Sequence, residues 1–259
     1  MLSGAETIAK AIETADGPAI CAYVTAGFPT LEGFSDGLAA VANAADLVEV
    51  GVPFTDPMAD GLTIQRASHV ALENGVTLQW ILETLSLGSA AVIAPVLLMG
   101  YYNPFLAYGL NRLGNDLAEA GVSGLIVPDL PYDESAELRE SLDPHSIALV
   151  QLVTPSTPDE RLKRLAVSSG GFVYAVTTTG LTGGQANLDE AILQYLARVR
   201  EVSSVPVLAG FGIREAKQVR DLAPHVSGVV VGSALIDAID RGEDPGAFVD
   251  GLRLKEVSP

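Results

Sequence analysis

Residues Leu47 to Gln65 read LVEVGVPFTDPMADGLTIQ and hold three acids, Glu49, Asp56 and Asp60. Glu49 is next to last in an apolar run that reads as a strand, and no lysine or arginine lies close to it in sequence. A carboxyl group partly withdrawn from water at a strand end has a raised pKa and can exchange protons near neutrality, which suits general acid–base work. Alternation along the strand leaves Glu49 facing either a barrel interior or a helix layer. Its structural alternative is an acceptor for buried backbone N–H groups, and the acid–base reading is preferred. Asp56 precedes Pro57 and reads as ordinary turn chemistry, an alternative that stays open for Asp60.

A second group lies near the C-terminus. After the apolar run FVYAV comes TTTGLTGGQANL, after VPVLA comes GFGIREA, and after GVVV comes VGSALID. Glycines let backbone N–H groups close on an anion, and a helix start such as GSA before LIDAID adds a favourable dipole. Each stretch alone is weak. Three in consecutive units point to a phosphate held by backbone amides.

What is missing narrows the chemistry. The four lysines, Lys10, Lys163, Lys217 and Lys255, all fall in helical stretches rather than at strand ends, so Schiff-base catalysis has no support. His69, His145 and His225 lack metal-ligand spacing, and no metal site is expected. The single cysteine, Cys21, excludes an intrachain disulfide framework and reads as a small core residue. General acid–base chemistry by carboxylates on a phosphorylated substrate is what remains.

These residues must be positioned by eight short apolar runs, at 19–24, 46–50, 94–99, 124–128, 147–152, 172–176, 205–209 and 228–231. Such runs, bounded by Gly, Pro or Asp, are what parallel strands buried on both faces look like. Helical spacing fills the intervals, as in LEGFSDGLAAVANAA and DEAILQYLARVREV. Eight alternations in 259 residues predict an α/β fold, a closed (β/α)8 TIM barrel with parallel strands and an extra N-terminal helix. An open doubly wound sheet is the alternative. No linker interrupts the pattern, so residues 1–259 are expected to form a single catalytic barrel domain. In such barrels the active site is built at the C-terminal ends of the strands, where both groups of residues fall.

Composition agrees with this reading. The formal charge of −17 argues against nucleic-acid binding, and its dispersal suggests a solvated, halophilic type of surface. No apolar run reaches the roughly 20 residues of a bilayer span. The N-terminus lacks a signal-peptide pattern, and a cytoplasmic location away from membranes is expected.

VEVGVPFTDPMADGLTIQRA resembles the segment of the tryptophan synthase alpha-subunit family that carries its two catalytic carboxylates. YVTAGFP, LMGYYNPF, GLIVPDLPYDES, VYAVTTTGLTGG, GFGI and VGSALI extend the resemblance along the whole chain in the family's order. It implies a lyase that cleaves indole-3-glycerol phosphate to indole and glyceraldehyde 3-phosphate by a retro-aldol reaction in tryptophan biosynthesis. Glu49 matches the family's acid–base group, and Asp60 the carboxylate that hydrogen-bonds the indole N–H. Tyr174 matches a tyrosine near the substrate and Thr182 the lid threonine that closes onto the Asp60 loop. Gly183, Gly212, Gly232 and Ser233 match phosphate-binding positions, while Tyr23, Tyr101 and Phe211 would line the indole pocket or simply pack the barrel. The resemblance implies no cofactor in this chain. Pyridoxal phosphate would belong to a beta-subunit partner in an αββα heterotetramer.

Three positions depart from the family pattern: Leu62 for proline, Phe28 for aspartate and Thr55 for serine. Neither carboxylate is touched. Related phosphate-binding barrels that use a lysine at the mouth, metal-dependent aldolases, and a non-catalytic regulatory barrel are the competing readings.

Overall fold

The computed structural model describes residues 2–88, 92–177, 190–210 and 212–253. Eight parallel strands close into a barrel in sequence order: β1 (Ala19–Thr25), β2 (Leu47–Gly51), β3 (Val96–Met99), β4 (Val122–Ile126), β5 (Ala148–Val153), β6 (Val173–Val176), β7 (Val207–Gly210) and β8 (Gly228–Val231). The last strand pairs with the first, Ala19 opposite Gly228 and Cys21 opposite Val230, which excludes the open sheet.

Around the barrel run α1 (Gly4–Glu13), α2 (Leu31–Ala44), α3 (Leu62–Glu73), α4 (Leu78–Gly88), α5 (Tyr102–Tyr108), α6 (Leu110–Glu119), α7 (Ala136–Leu142), α8 (Asp159–Ser168), α9 (Glu190–Val202), α10 (Ala216–Leu222), α11 (Ser233–Asp240) and α12 (Pro245–Asp250). None of the described helices is long and apolar enough to cross a membrane.

Strand alternation sorts the core into two shells. Ile20, Ala22, Val24, Val48 and Val50 point outward and pack against the helices. Cys21, Leu47, Leu97, Ile126, Val150, Phe172 and Leu208 point inward and fill the barrel. The extra N-terminal helix closes the lower end. Ser3 and Glu6 form a capping box that starts α1, and its apolar stripe delivers Ile8 and Ile12 into the inner cluster. Ile8 is fully buried, and the Gly4 amide donates to the Ser146 carbonyl at 2.8 Å, fixing where the helix enters. Truncating a residue as buried as Ile8 to alanine costs about 2–5 kcal/mol in comparable cores.

Candidate active site

Glu49 lies on β2 between Leu47, which is in the inner cluster, and Gly51. Its side chain therefore points into the barrel, with Tyr23 beside it on β1 and Leu97 on β3. It is 1% exposed, and its buried Oε2 has no hydrogen-bond partner. The role of structural acceptor is thus unfilled at that oxygen. Burial, and secondarily the charge of Asp60, push the Glu49 carboxyl up to about 8.

Asp60 sits in the loop between β2 and α3, half-buried, and burial raises it to about 6. A hydrogen bond from Tyr101 works against that rise, donated by the phenol to Asp60 Oδ2 at 3.2 Å. The same phenol accepts from the Ala59 amide at 2.8 Å. Phe54 packs on Tyr101 with ring centroids 5.3 Å apart. From α3, Gln65 Nε2 donates to the Asp60 carbonyl at 2.9 Å, so helix and neighbouring unit both hold the loop. Asp56 is exposed and its carbonyl accepts from the Met58 amide at 2.9 Å, the turn role expected of it.

Tyr23 and Tyr174 complete the inner wall. Each ring occupies space that only glycine leaves free. A Cβ at Gly51 would collide with the Tyr23 hydroxyl, and one at Gly210 with the Tyr174 ring. Burial raises both phenols, strongly for Tyr174, with the charge of Glu49 as its second cause. Both are therefore neutral hydroxyls at physiological pH, able to donate.

Across the mouth, Gly212 has φ +43 and a Cβ there would meet nothing within 4 Å, so the backbone faces open space. Gly232 precedes α11 with no side-chain cap, and Ser233 begins the helix. The helix N-terminus is left to its own amides, as an anion site requires. Thr182, Gly183 and Phe211 lie outside the described residues.

Lys10, Lys163 and Lys217 are on α1, α8 and α10, away from strand ends, and Lys255 lies outside the described residues. Among the described residues no group of three or more His, Cys, Asp or Glu could hold a metal ion. Of the departures, Leu62 is exposed and opens α3, the first helical position where proline is also favoured. Phe28 is buried in a cluster with Tyr23, Ala67 and Ile236 at the mouth.

The sequence reading passed over Gly51, Gly210 and Gln65. The glycines carried a faint signal: each ends an apolar strand on the inward face, where a residue without a side chain implies a large neighbour.

Fold and site define a class: a (β/α)8 barrel with two carboxyl groups of raised pKa, Glu49 and Asp60, at its C-terminal mouth. The chain belongs to the tryptophan synthase alpha chain family, whose profile matches residues 9–253. The tryptophan synthase alpha chain of Roseiflexus sp. (strain RS-1) is 44% identical over 247 residues, covering 95% of this chain and 94% of that one. That of Nitratidesulfovibrio vulgaris (strain DP4) is 44% identical over 238 residues, covering 92% and 93%. Among solved structures, Mycobacterium tuberculosis tryptophan synthase superposes with a TM-score of 0.88 at 33% identity, covering 98% of this chain and 100% of that one. The tryptophan synthase α2β2 complex of the hyperthermophile Pyrococcus furiosus gives 0.84 at 33% identity, covering 91% and 98%.

Proposed function

We propose that Glu49 and Asp60 are the residues with which this chain, as a tryptophan synthase alpha subunit, cleaves indole-3-glycerol phosphate to indole and glyceraldehyde 3-phosphate. Family membership supplies the reaction, and one observation carries the residue assignment. Glu49 is a buried carboxyl with an unpaired oxygen, held protonated near neutrality, at the open end of the barrel. A group in that state still holds its proton at neutral pH and can deliver it to a substrate atom placed against it.

The steps balance without an imine. The Glu49 carboxyl protonates C3 of the indole ring, and positive charge develops at the ring nitrogen. Asp60, ionised and facing Glu49 in the same mouth, accepts the N–H and stabilises that charge. The bond from C3 to the glycerol carbon breaks and its electron pair returns to the ring. The hydroxyl on that carbon becomes the aldehyde oxygen, and its proton passes to the Glu49 carboxylate. Tyr23, Tyr101, Tyr174 and, beyond the described residues, Phe211 shape the indole pocket. Amides at Gly183, Gly212 and Gly232 with Ser233 hold the phosphate, and Thr182 closes over the Asp60 loop. The chain brings no cofactor of its own to this chemistry.

Its partner is a tryptophan synthase beta subunit in an αββα assembly, with pyridoxal phosphate on the beta side. Relatives solved as α2β2 complexes support that assembly. The acidic surface is read as an adaptation to salt. The deciding experiment is indole release from indole-3-glycerol phosphate by wild type and Glu49→Gln. A loss of about 10²–10⁴-fold is expected in the variant. Near wild-type cleavage would reject the assignment.

A further inference from the structure

Asp237 lies on the inner turn of α11, five residues beyond Gly232. Its Oδ1 accepts from Thr63 Oγ1 at 3.3 Å and its Oδ2 from Arg214 Nη1 at 3.2 Å. The three residues come from three different units. Thr63 is in the first turn of α3, three residues past Asp60; Arg214 follows Gly212 in the loop after β7. One carboxylate thus joins the helix that follows the Asp60 loop to the loop after β7 and to α11, two of the segments proposed to hold the phosphate.

The surroundings make this joint stiff. The Asp237 side chain is 23% exposed, against 54% for Arg214. One turn along, Arg66 Nη1 meets Asp240 Oδ2 at 2.7 Å, again α3 to α11. Beneath both pairs Ala67 and Ile236 are fully buried in one cluster with Tyr23, and Ile64, Val70 and Ile239 pack onto it. Gln65, on the same turn of α3, carries the connection to the Asp60 carbonyl.

We propose that Asp237 is a positioning residue that keeps the Asp60 loop in register with the phosphate loops, so that seating of the substrate phosphate aligns Asp60 on the indole N–H. The proposal rests on the preceding functional reading. Binding energy from a remote part of a substrate raises turnover only if something transmits it to the reacting centre. The Thr63–Asp237–Arg214 latch is such a transmitter. An ordinary surface ion pair would instead contribute little to stability and nothing to turnover.

The test uses the full chain as wild type, Asp237→Ala, Asp237→Asn and Thr63→Val. Asp237→Ala is expected to lower kcat about tenfold, within the range of typical coupling between sites, with KM for indole-3-glycerol phosphate changed less than about threefold. Asp237→Asn keeps an acceptor for Thr63 and should recover part of the loss. The second measurement is indole affinity with and without saturating inorganic phosphate. In wild type phosphate should tighten indole binding by several-fold, and in Asp237→Ala the two affinities should be equal. Wild-type kcat or undiminished coupling in Asp237→Ala overturns the proposal. Should Asp237→Ala fail to fold, Thr63→Val, which removes one hydroxyl, decides by the same two readouts. If wild type released no indole from indole-3-glycerol phosphate, the functional reading would fall, while the phosphate–indole coupling would still judge the latch.

Discussion

The Tyr101 phenol donates to Asp60 Oδ2 at 3.2 Å while accepting from the Ala59 amide at 2.8 Å, so one side chain from the β3 unit holds both carboxylate and main chain of the β2 loop. A donor to a carboxylate favours its ionised form. In Tyr101→Phe, Asp60 should therefore titrate higher than its present value of about 6. The acid limb of kcat/KM against pH should move toward neutrality while the alkaline limb stays in place. At neutral pH the lost hydrogen bond should cost about 1 kcal/mol, near fivefold in rate. An acid limb unchanged in the variant would separate Tyr101 from the titration of Asp60.

The wild-type profile follows from the same two groups. The proposed mechanism needs Asp60 ionised, which holds above about 6, and Glu49 protonated, which holds below about 8. A bell with its plateau between those values is the expected outcome of steady-state kinetics across pH 5 to 9. Because the two carboxylates feel each other, the limbs belong to the pair rather than to either residue. Glu49→Asp, if it retains activity, should move the alkaline limb most.

Glu49 also sets a stability cost that grows with pH. Its carboxyl is raised from 4.5 to about 8, so below the lower value it is protonated in folded and unfolded chains alike and has no effect. Between the two values the unfolded chain loses the proton while the folded chain keeps it, so stability falls as pH rises. The full penalty, on the order of 5 kcal/mol, is present above the upper value of about 8. Glu49→Gln should therefore melt higher than wild type, with a margin that widens from pH 5 to pH 8. Equal melting temperatures across that range would mean that Glu49 is better solvated than its burial indicates.

Under the proposed phosphate site, Gly232 separates binding from folding. A Cβ there would lie 3.5 Å from Tyr23 Cβ, ordinary contact distance. Gly232→Ala should leave the melting temperature within about 2 °C of wild type, as expected for an added methyl that meets no clash. It should raise KM for the phosphorylated substrate about tenfold by holding the anion off the α11 amides. A dephosphorylated substrate should bind both proteins alike. A KM unchanged by the added methyl would move the phosphate elsewhere.

At a formal charge of −17 the chain repels itself. Salt shortens the Debye length from about 10 Å at 0.1 M to about 3 Å at 1 M. The melting temperature in sodium chloride is expected to rise over that range, and a flat or falling curve would remove the salt-adaptation reading.

The barrel was legible because two-sided burial leaves each parallel strand as a bare apolar run. The run at 19–24 became Ala19–Thr25 and that at 228–231 became Gly228–Val231. Glu49 stood out for the same reason, as an acid inside such a run rather than at its edge. Its inward direction was not legible, because alternation gives two faces and only closure of the sheet tells them apart. The Tyr101–Asp60 contact spans 41 residues and arises only when β2 and β3 become neighbours. Asp237 was invisible for a similar reason: an acid on an exposed-looking helix in an acidic chain carries no signal until α3 is laid beside it. The short helices α5 and α12, of 7 and 6 residues, are too brief for periodicity to register.

The plug formed by Ile8 and Ile12 has a consequence for molecular traffic. With Phe172 and Leu97 fully buried above it, the barrel is a vessel stopped at one end rather than a tube. Among the described residues, the end away from α1 is the side from which Glu49 would be approached. A partner seated over that rim, as the proposed function has it, would receive the indole released beneath it.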